Sequence, residues 1–253
     1  MSNFLKKMSK FDNFLTIDEV ADILKISTKT LRRWDESHKL LADRSNGGRL
    51  MYSLNSLKNF LTDDLFWRSK IWAATGSEPA KETLYCQNRA IFEARNAAME
   101  KLLQKRIGEI YSIISSSAGE IGNNSFDHNL GKWSDIPGLY FDYDFTKGQI
   151  ALADRGQGIL KTLEYILPNL SNHKEALYIA FTEIITGRAP EKRGNGLKYV
   201  RRNVEKGYFD LTFQTGDAKI VLKANEIFSD KNIQKTNIAI PGCLAFIEFK
   251  TNF

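Results

Sequence analysis

Two hydrophobic patterns share this chain of 253 residues, and they do not fit one layered domain. Residues 14–62 break into short periodic stretches divided by turn signals, whereas from Tyr85 onward long helical periodicity is followed by strand-like runs. In the first part, Thr16 is placed to cap a helix over IDEVADILK, with Glu19 at the capping-box position and Val20, Ile23 and Leu24 on one face. After the turn KIST, Ser27 or Thr28 caps a second helix, KTLRRWDES, with Leu31 and Trp34 as its core positions. RSNGGRLMYS then places an Asn-Gly-Gly turn between two extended arms, a hairpin signal, and a helix over LNSLKNFL closes the unit. Residues 63–84 read as a connector, partly helical and broken around GSEP.

The second part, residues 85–253, opens with helical stretches over about 85–106 and 107–129, kinked near Gly108. The runs GLYFDYDF, QIALAD, YFDLTFQ, AKIVL and CLAFIEFK read as strands, with helices near 158–166, 173–185 and 197–205. Strands after helices, without strict alternation, predict an α+β sandwich.

Composition narrows the function classes. Most of the net charge of +6 falls in residues 1–62, where eleven Lys and Arg outnumber seven Asp and Glu. A small basic module beside a nearly neutral larger one points to a polyanion partner. Cys86 and Cys243 form no CxxC pair, which argues against zinc and fits a reducing compartment. MSNFLKKMSKFDNFL lacks the apolar stretch of a signal peptide, and no run approaches the roughly 18 apolar residues of a membrane span. A cytoplasmic protein is expected.

Three motifs in the second part carry chemistry. In EIGNNSFDH, at 120–128, Glu120, Asn124 and His128 recur every four residues, so one helix face presents all three. An Asn carbonyl is a hard oxygen ligand suited to Mg²⁺, and a Glu one turn away can activate water or a hydroxyl. Asn123 is the alternative register. In IALADRGQGI, at 150–159, Asp154 ends a strand and can accept a hydrogen bond from an exocyclic amine, and Gly156 and Gly158 allow close approach of a planar base. In APEKRGNGLKYVRR, at 189–202, Gly194 and Gly196 precede a helix beginning near Leu197, whose free N–H groups favour phosphate. Lys192, Arg193 and Lys198 add positive charge there.

In this order, the three motifs resemble the N, G1 and G2 boxes of the GHKL ATPases, the family of gyrase, Hsp90-type chaperones, histidine kinases and mismatch-repair ATPases. The resemblance spans about residues 85–250. It implies ATP and Mg²⁺ as cofactors and a mixed, largely antiparallel sheet with helices on one face. It also implies Glu120 as general base, Asn124 as Mg²⁺ ligand, Asp154 as adenine reader, and Gly194 and Gly196 in a lid loop. Clamp-type members add a transducer domain that supplies a phosphate-contacting lysine, and this sequence ends at Phe253. The histidines are His38, His128 and His173, none in the 85–106 stretch, so autophosphorylation in cis is not expected. The spacing is also similar to that of the anti-sigma serine kinases.

Residues 14–62 resemble the winged helix-turn-helix of MerR-like regulators and excisionases, which implies double-stranded DNA as partner. Thr28, Lys29, Thr30, Arg32 and Arg33 then sit on the recognition helix, and Arg44, Arg49 and Tyr52 on the wing, facing phosphate or minor groove. Together these readings predict a regulator that uses ATP to change assembly or DNA affinity. The alternatives are a protein serine/threonine kinase acting on a partner protein and an ATP sensor without turnover. A homodimer through the 85–106 helix fits the weak binding of a single winged helix.

Overall fold

The structure, a computed structural model, describes residues 14–24, 26–45, 47–76, 84–183 and 195–251. The chain forms two compact units that divide between Arg68 and Ser69. Lys192, Arg193, Gly194 and most of GSEP lie outside the described residues.

In the first unit, β1 (Phe14–Thr16), α1 (Ile17–Leu24), α2 (Thr28–Glu36), β2 (Asp43–Arg44), β3 (Leu50–Ser53) and α3 (Leu54–Asp63) follow in order. The capping box forms as expected: the Thr16 N–H donates to Glu19 Oε2 at 2.7 Å and the Glu19 N–H to Thr16 Oγ1 at 3.3 Å. Ser27 caps α2, its Oγ accepting the Thr30 N–H at 3.1 Å. Val20, Leu24 and Leu31 are buried, and α1 packs on α2. Trp34 is half-buried, with its ring centroid 5.3 Å from that of Phe60 and the Lys39 ammonium 4.8 Å from it.

The hairpin also forms, pairing Arg44 with Leu50 and Asp43 with Met51, and Ser45 and Arg49 close its turn. The sheet gains a third strand, in the order β1-β3-β2, because Phe14–Thr16 pairs antiparallel with Met51–Ser53. Three residues that end on the helix cap itself are too few for an alternating pattern to register in sequence.

A helix, α4 (Leu65–Thr75), occupies the expected connector and carries the boundary between the units. The second unit then runs β4 (Tyr85–Cys86), α5 (Arg89–Ile107), a 3₁₀ turn at Gly108–Ile110, α6 (Tyr111–Asn129), β5 (Leu139–Asp144), β6 (Gln149–Asp154), α7 (Gly158–Glu164), α8 (His173–Thr182), α9 (Gly196–Glu205), β7 (Asp210–Leu222) and β8 (Ile233–Glu248). Gly108 at φ 66° separates the two long helices, at the expected kink. The sheet order is β4-β5-β6-β8-β7. Every strand pair among the described residues is antiparallel, so the expected mixed sheet is corrected to an antiparallel one.

The core lies between this sheet and helices α5, α6, α8 and α9, with Phe92, Ile114, Leu152, Phe181, Phe213 and Ile247 among its members. Alternation sends Leu139, Phe141, Ile150 and Leu152 into that core and leaves Tyr140 on the opposite face. There, Trp72 of α4 packs on Tyr140, with ring centroids 5.6 Å apart. The runs YFDLTFQ and AKIVL prove to be one long strand, β7, with register shifts around Gly216, and β8 begins ten residues before CLAFIEFK.

Candidate functional site

Strand register builds the floor of the site. The inward parity that buries Ile150 and Leu152 continues to Asp154 at the end of β6. Thr215 pairs with Cys243, and Ala153 pairs with Leu244, so the end of β6 lies abreast of Cys243 and Thr215. Helix α6 crosses above, where the Ser125 hydroxyl donates to Asp154 Oδ2 at 2.8 Å and the Asn129 amide to Oδ1 at 3.2 Å. The Gly156 N–H adds a third bond at 2.8 Å and the Cys243 N–H a fourth.

Asp154 is 2% exposed, and burial pushes its carboxyl up to about 6 despite these donors. The Cys243 thiol is likewise pushed well above its ordinary value, by burial first and the neighbouring Asp154 second.

Around this carboxylate opens a cleft of ≈ 400 Å³, lined by Ile121, Leu152, Ile159, Leu163, Ile179, Phe213 and Ala245 on its apolar side. That volume lies within the roughly 300–1,000 Å³ of small-molecule sites. Its polar lining includes Asn124, Asp127, His128, Asn129, Lys132, Asp154, Gln157 and Lys198, with Gly158, Gly196 and Leu197. Thus Asn124, Asp154, Gly158, Gly196 and Leu197, drawn from all three motifs, share one cavity.

Glu120 is exposed beside it: a Cβ placed on Gly196 would come within 2.5 Å of Glu120 Oε2 and 3.4 Å of Asn124 Nδ2. Asn123 is not among the lining residues, and its Oδ1 is buried without a hydrogen-bond partner. Of the two asparagines, Asn124 lines the cleft and Asn123 does not. Asp127 of the same helix is held by an ion pair to Arg89.

The glycines of DRGQGI have a different reason from the expected one. A Cβ on Gly156 would overlap the Asn129 side chain, so this residue makes room for protein rather than for a planar base. Gly158 sits at φ 75°, with Thr215 Oγ1 and the Pro241 carbonyl closing on it. Gly242 was not legible as a site residue, yet a Cβ there would strike Asp154 and lie 2.6 Å from the Gly156 nitrogen. Ser125, Asn129 and Thr215 were also missed, the last accepting the Ile159 N–H at 3.1 Å. Only the position of Ser125, directly after Asn124 in the motif, offered a signal.

Polarity is distributed along α6. Glu120 and Asn124 meet the start of α9, while Ser125 and Asn129 hold Asp154. From Glu120 the two clamping residues lie five and nine positions on, about 7–13 Å of helix rise. Among the described residues no cluster of three or more His, Cys, Asp or Glu is placed to hold a metal.

On the first unit, Lys29, Arg32 and Arg33 are exposed on α2, while Thr28 and Thr30 are half-buried. Arg44 and Arg49 are exposed on the hairpin, and both border a groove with Arg32, Asp18, Asp35 and Glu36. Tyr52 is corrected. It is 0% exposed, and its hydroxyl donates to the Leu31 carbonyl at 3.3 Å, so it joins β3 to α2 from inside the core.

Residues 14–64 match the model of a family described as a helix-turn-helix domain, a stretch that runs from β1 through α3. No curated protein matches the chain in sequence. The first unit is therefore a helix-turn-helix domain joined to an α+β unit. No helix among the described residues is long and apolar enough to cross a membrane.

Proposed function

We propose that the chain is a DNA-binding regulator whose second unit binds Mg-ATP and hydrolyses it, so that its ATP-bound and ATP-free states differ in assembly or DNA affinity. The observation that carries the reading is the meeting of Asn124, Asp154, Gly158, Gly196 and Leu197 around one cleft of suitable size. Asp154 accepts the amine of adenine at the floor. Asn124 would hold Mg²⁺, which when bound neutralises charge on the phosphates, and Glu120 takes the proton of the attacking water. The helix-turn-helix domain supplies the DNA contact through Lys29, Arg32 and Arg33, with Arg44 and Arg49 on phosphate.

Calorimetry with ATP and Mg²⁺, combined with electrophoretic mobility of random duplex DNA at rising salt, tests both halves. Saturable ATP binding and a steep loss of DNA affinity with salt are expected. Absence of ATP binding would remove the nucleotide half, and a salt-independent or absent DNA complex would make the first unit a protein-docking module. Labelled γ-phosphate separates the remaining outcomes: free phosphate supports an ATPase, labelled partner protein a kinase, and neither a sensor.

A further inference from the structure

One cation of the cleft, Lys198, forms no ion pair among the described residues. Lys198, in the first turn of α9, is 5% exposed. Among the described residues its ammonium makes one hydrogen bond, to the Ala180 carbonyl, at the long distance of 3.4 Å. Three N–H groups and a full charge are thus set against one neutral acceptor. Burial pulls its pKa down, Arg201 and Arg202 add to that effect, and Glu183 gives only weaker relief. A buried cation in this condition is costly to the fold unless an anion completes its surroundings. Ala180, Glu183 and Lys198 all line the same cleft, and Gly196, two residues before Lys198, lies against Glu120 and Asn124. A bound anion at the α9 end of the cleft would therefore meet an ammonium already stripped of water.

We propose that Lys198 is the phosphate-recognising cation of the cleft, and that it makes the site select nucleoside di- and triphosphates over monophosphates and nucleosides. The inference rests on the nucleotide reading of the cleft and adds to it which part of the ligand is measured. Desolvation makes the contact strong once formed, because a charge-assisted hydrogen bond out of water exceeds a neutral one. The competing role is structural. Ala180 lies in the last turn of α8, where a cation stabilises the helix end, so Lys198 could serve only as a cap.

The test is calorimetric titration of the full chain with adenosine, AMP, ADP and ATP in the presence of Mg²⁺, for wild type, Lys198→Met and Lys198→Gln. Glutamine keeps a donor for the Ala180 carbonyl and removes the charge, which separates recognition from capping and provides a folded variant if methionine does not fold. Wild type is expected to gain at least tenfold in affinity between AMP and ATP. Both variants are expected to hold adenosine and AMP within twofold of wild type while losing tenfold or more for ADP and ATP. Variants that bind all four ligands as wild type does would overturn the role of Lys198 and leave the adenine cleft standing. Equal losses across all four, or a loss in Lys198→Met that Lys198→Gln restores, would make it a cap and overturn the proposal. A wild-type chain that binds none of the four would instead overturn the nucleotide reading itself.

Discussion

The two units assemble their candidate sites in opposite ways. On the helix-turn-helix unit, Lys29, Arg32 and Arg33 come from one nine-residue helix, and the hairpin arginines follow closely in sequence. The cleft of the second unit draws on α6, β6, α7, α8, α9, β7 and β8, and its central carboxylate is held by donors from two of them, α6 and β8, and from the turn after β6. A site made by one exposed helix tolerates single changes with graded loss. A site made by converging buried elements is expected to fail steeply, and the predictions below turn on that contrast.

The largest effect is expected at Glu120, where Glu120→Ala should keep ATP and Mg²⁺ binding and lower turnover by about 10²–10⁴-fold, the usual cost of a lost general base. Asn124→Ala should lose magnesium-dependent binding as well, whereas Asn123→Ala should not, because Asn123 is outside the cleft lining. Single-turnover phosphate release and calorimetry with and without Mg²⁺ separate the three. Loss of Mg-ATP binding in Asn123→Ala alone would show that the α6 register is off by one.

Next comes Gly242→Ala. The added carbon meets Asp154 and the Gly156 nitrogen, which are rigid neighbours, so β6 and β8 must part. Overpacking of this kind costs about 3 kcal/mol at the upper end of its usual range. Thermal denaturation should show a clear drop in Tm together with loss of nucleotide binding. An unchanged Tm would mean that the strands yield easily here and that the cleft is less exacting than the helix-turn-helix unit.

Asp154→Asn should act through the same cluster with a smaller effect. Four donors converge on the carboxylate, and an amide would turn its own NH₂ toward one of them, which adds some destabilisation to a loss of adenine affinity. A charged hydrogen bond contributes roughly 1.5–3 kcal/mol, so affinity should fall more than tenfold. The pH dependence has a definite sign. The folded carboxyl, at about 6, binds its proton more tightly than the unfolded one, at 3.8, so this group's contribution to stability is fully present below 3.8 and declines as pH rises through 6. Adenine affinity should run the other way, weakening below pH 6 as the acceptor is protonated. Subtracting the Asp154→Asn profile from wild type isolates the group, and a difference flat between pH 4 and 7 would exclude a titrating acceptor.

Legibility followed the same divide. The capping box at Thr16 and Glu19, the Ser27 cap and the hairpin after Arg44 were readable because each is a contact between residues close in sequence. In the second unit the helices, the Gly108 kink and the QIALAD strand are readable from periodicity. The clamp on Asp154 was not. Ser125 and Asn129 act across 29 and 25 positions, and Thr215 and Gly242 matter only because β7 and β8 bring their ends beside β6. Strand register, which sequence pattern leaves open, decides which serine, threonine or glycine becomes part of a site. Tyr52 failed for a related reason. In LMYS the alternation is short, and only the pairing of β3 with both β1 and β2 turns Tyr52 inward.

The smallest effects should come from the first unit, where Arg33→Ala and Tyr52→Phe form a matched pair. Arg33 is exposed in the last turn of α2, and on the proposed reading its loss should remove one phosphate or base contact while the fold stays intact. The slope of log affinity against log salt should become shallower by about 0.9 for a phosphate contact. Arg32→Ala should act in the same direction but less, since Arg32 shares its groove with Asp35 and Glu36, which already offset part of its charge. Tyr52→Phe removes the hydroxyl bond to Leu31 and keeps the ring, so it should lower stability by about 1 kcal/mol and leave the salt slope unchanged. Fluorescence anisotropy over a salt series, with a thermal melt of each variant, distinguishes them. A reduced salt slope in Tyr52→Phe at full stability would return that residue to the DNA face. An unchanged slope in both arginine variants would take α2 away from DNA, and with it the contrast between an exposed site that fails gradually and a buried one that fails steeply.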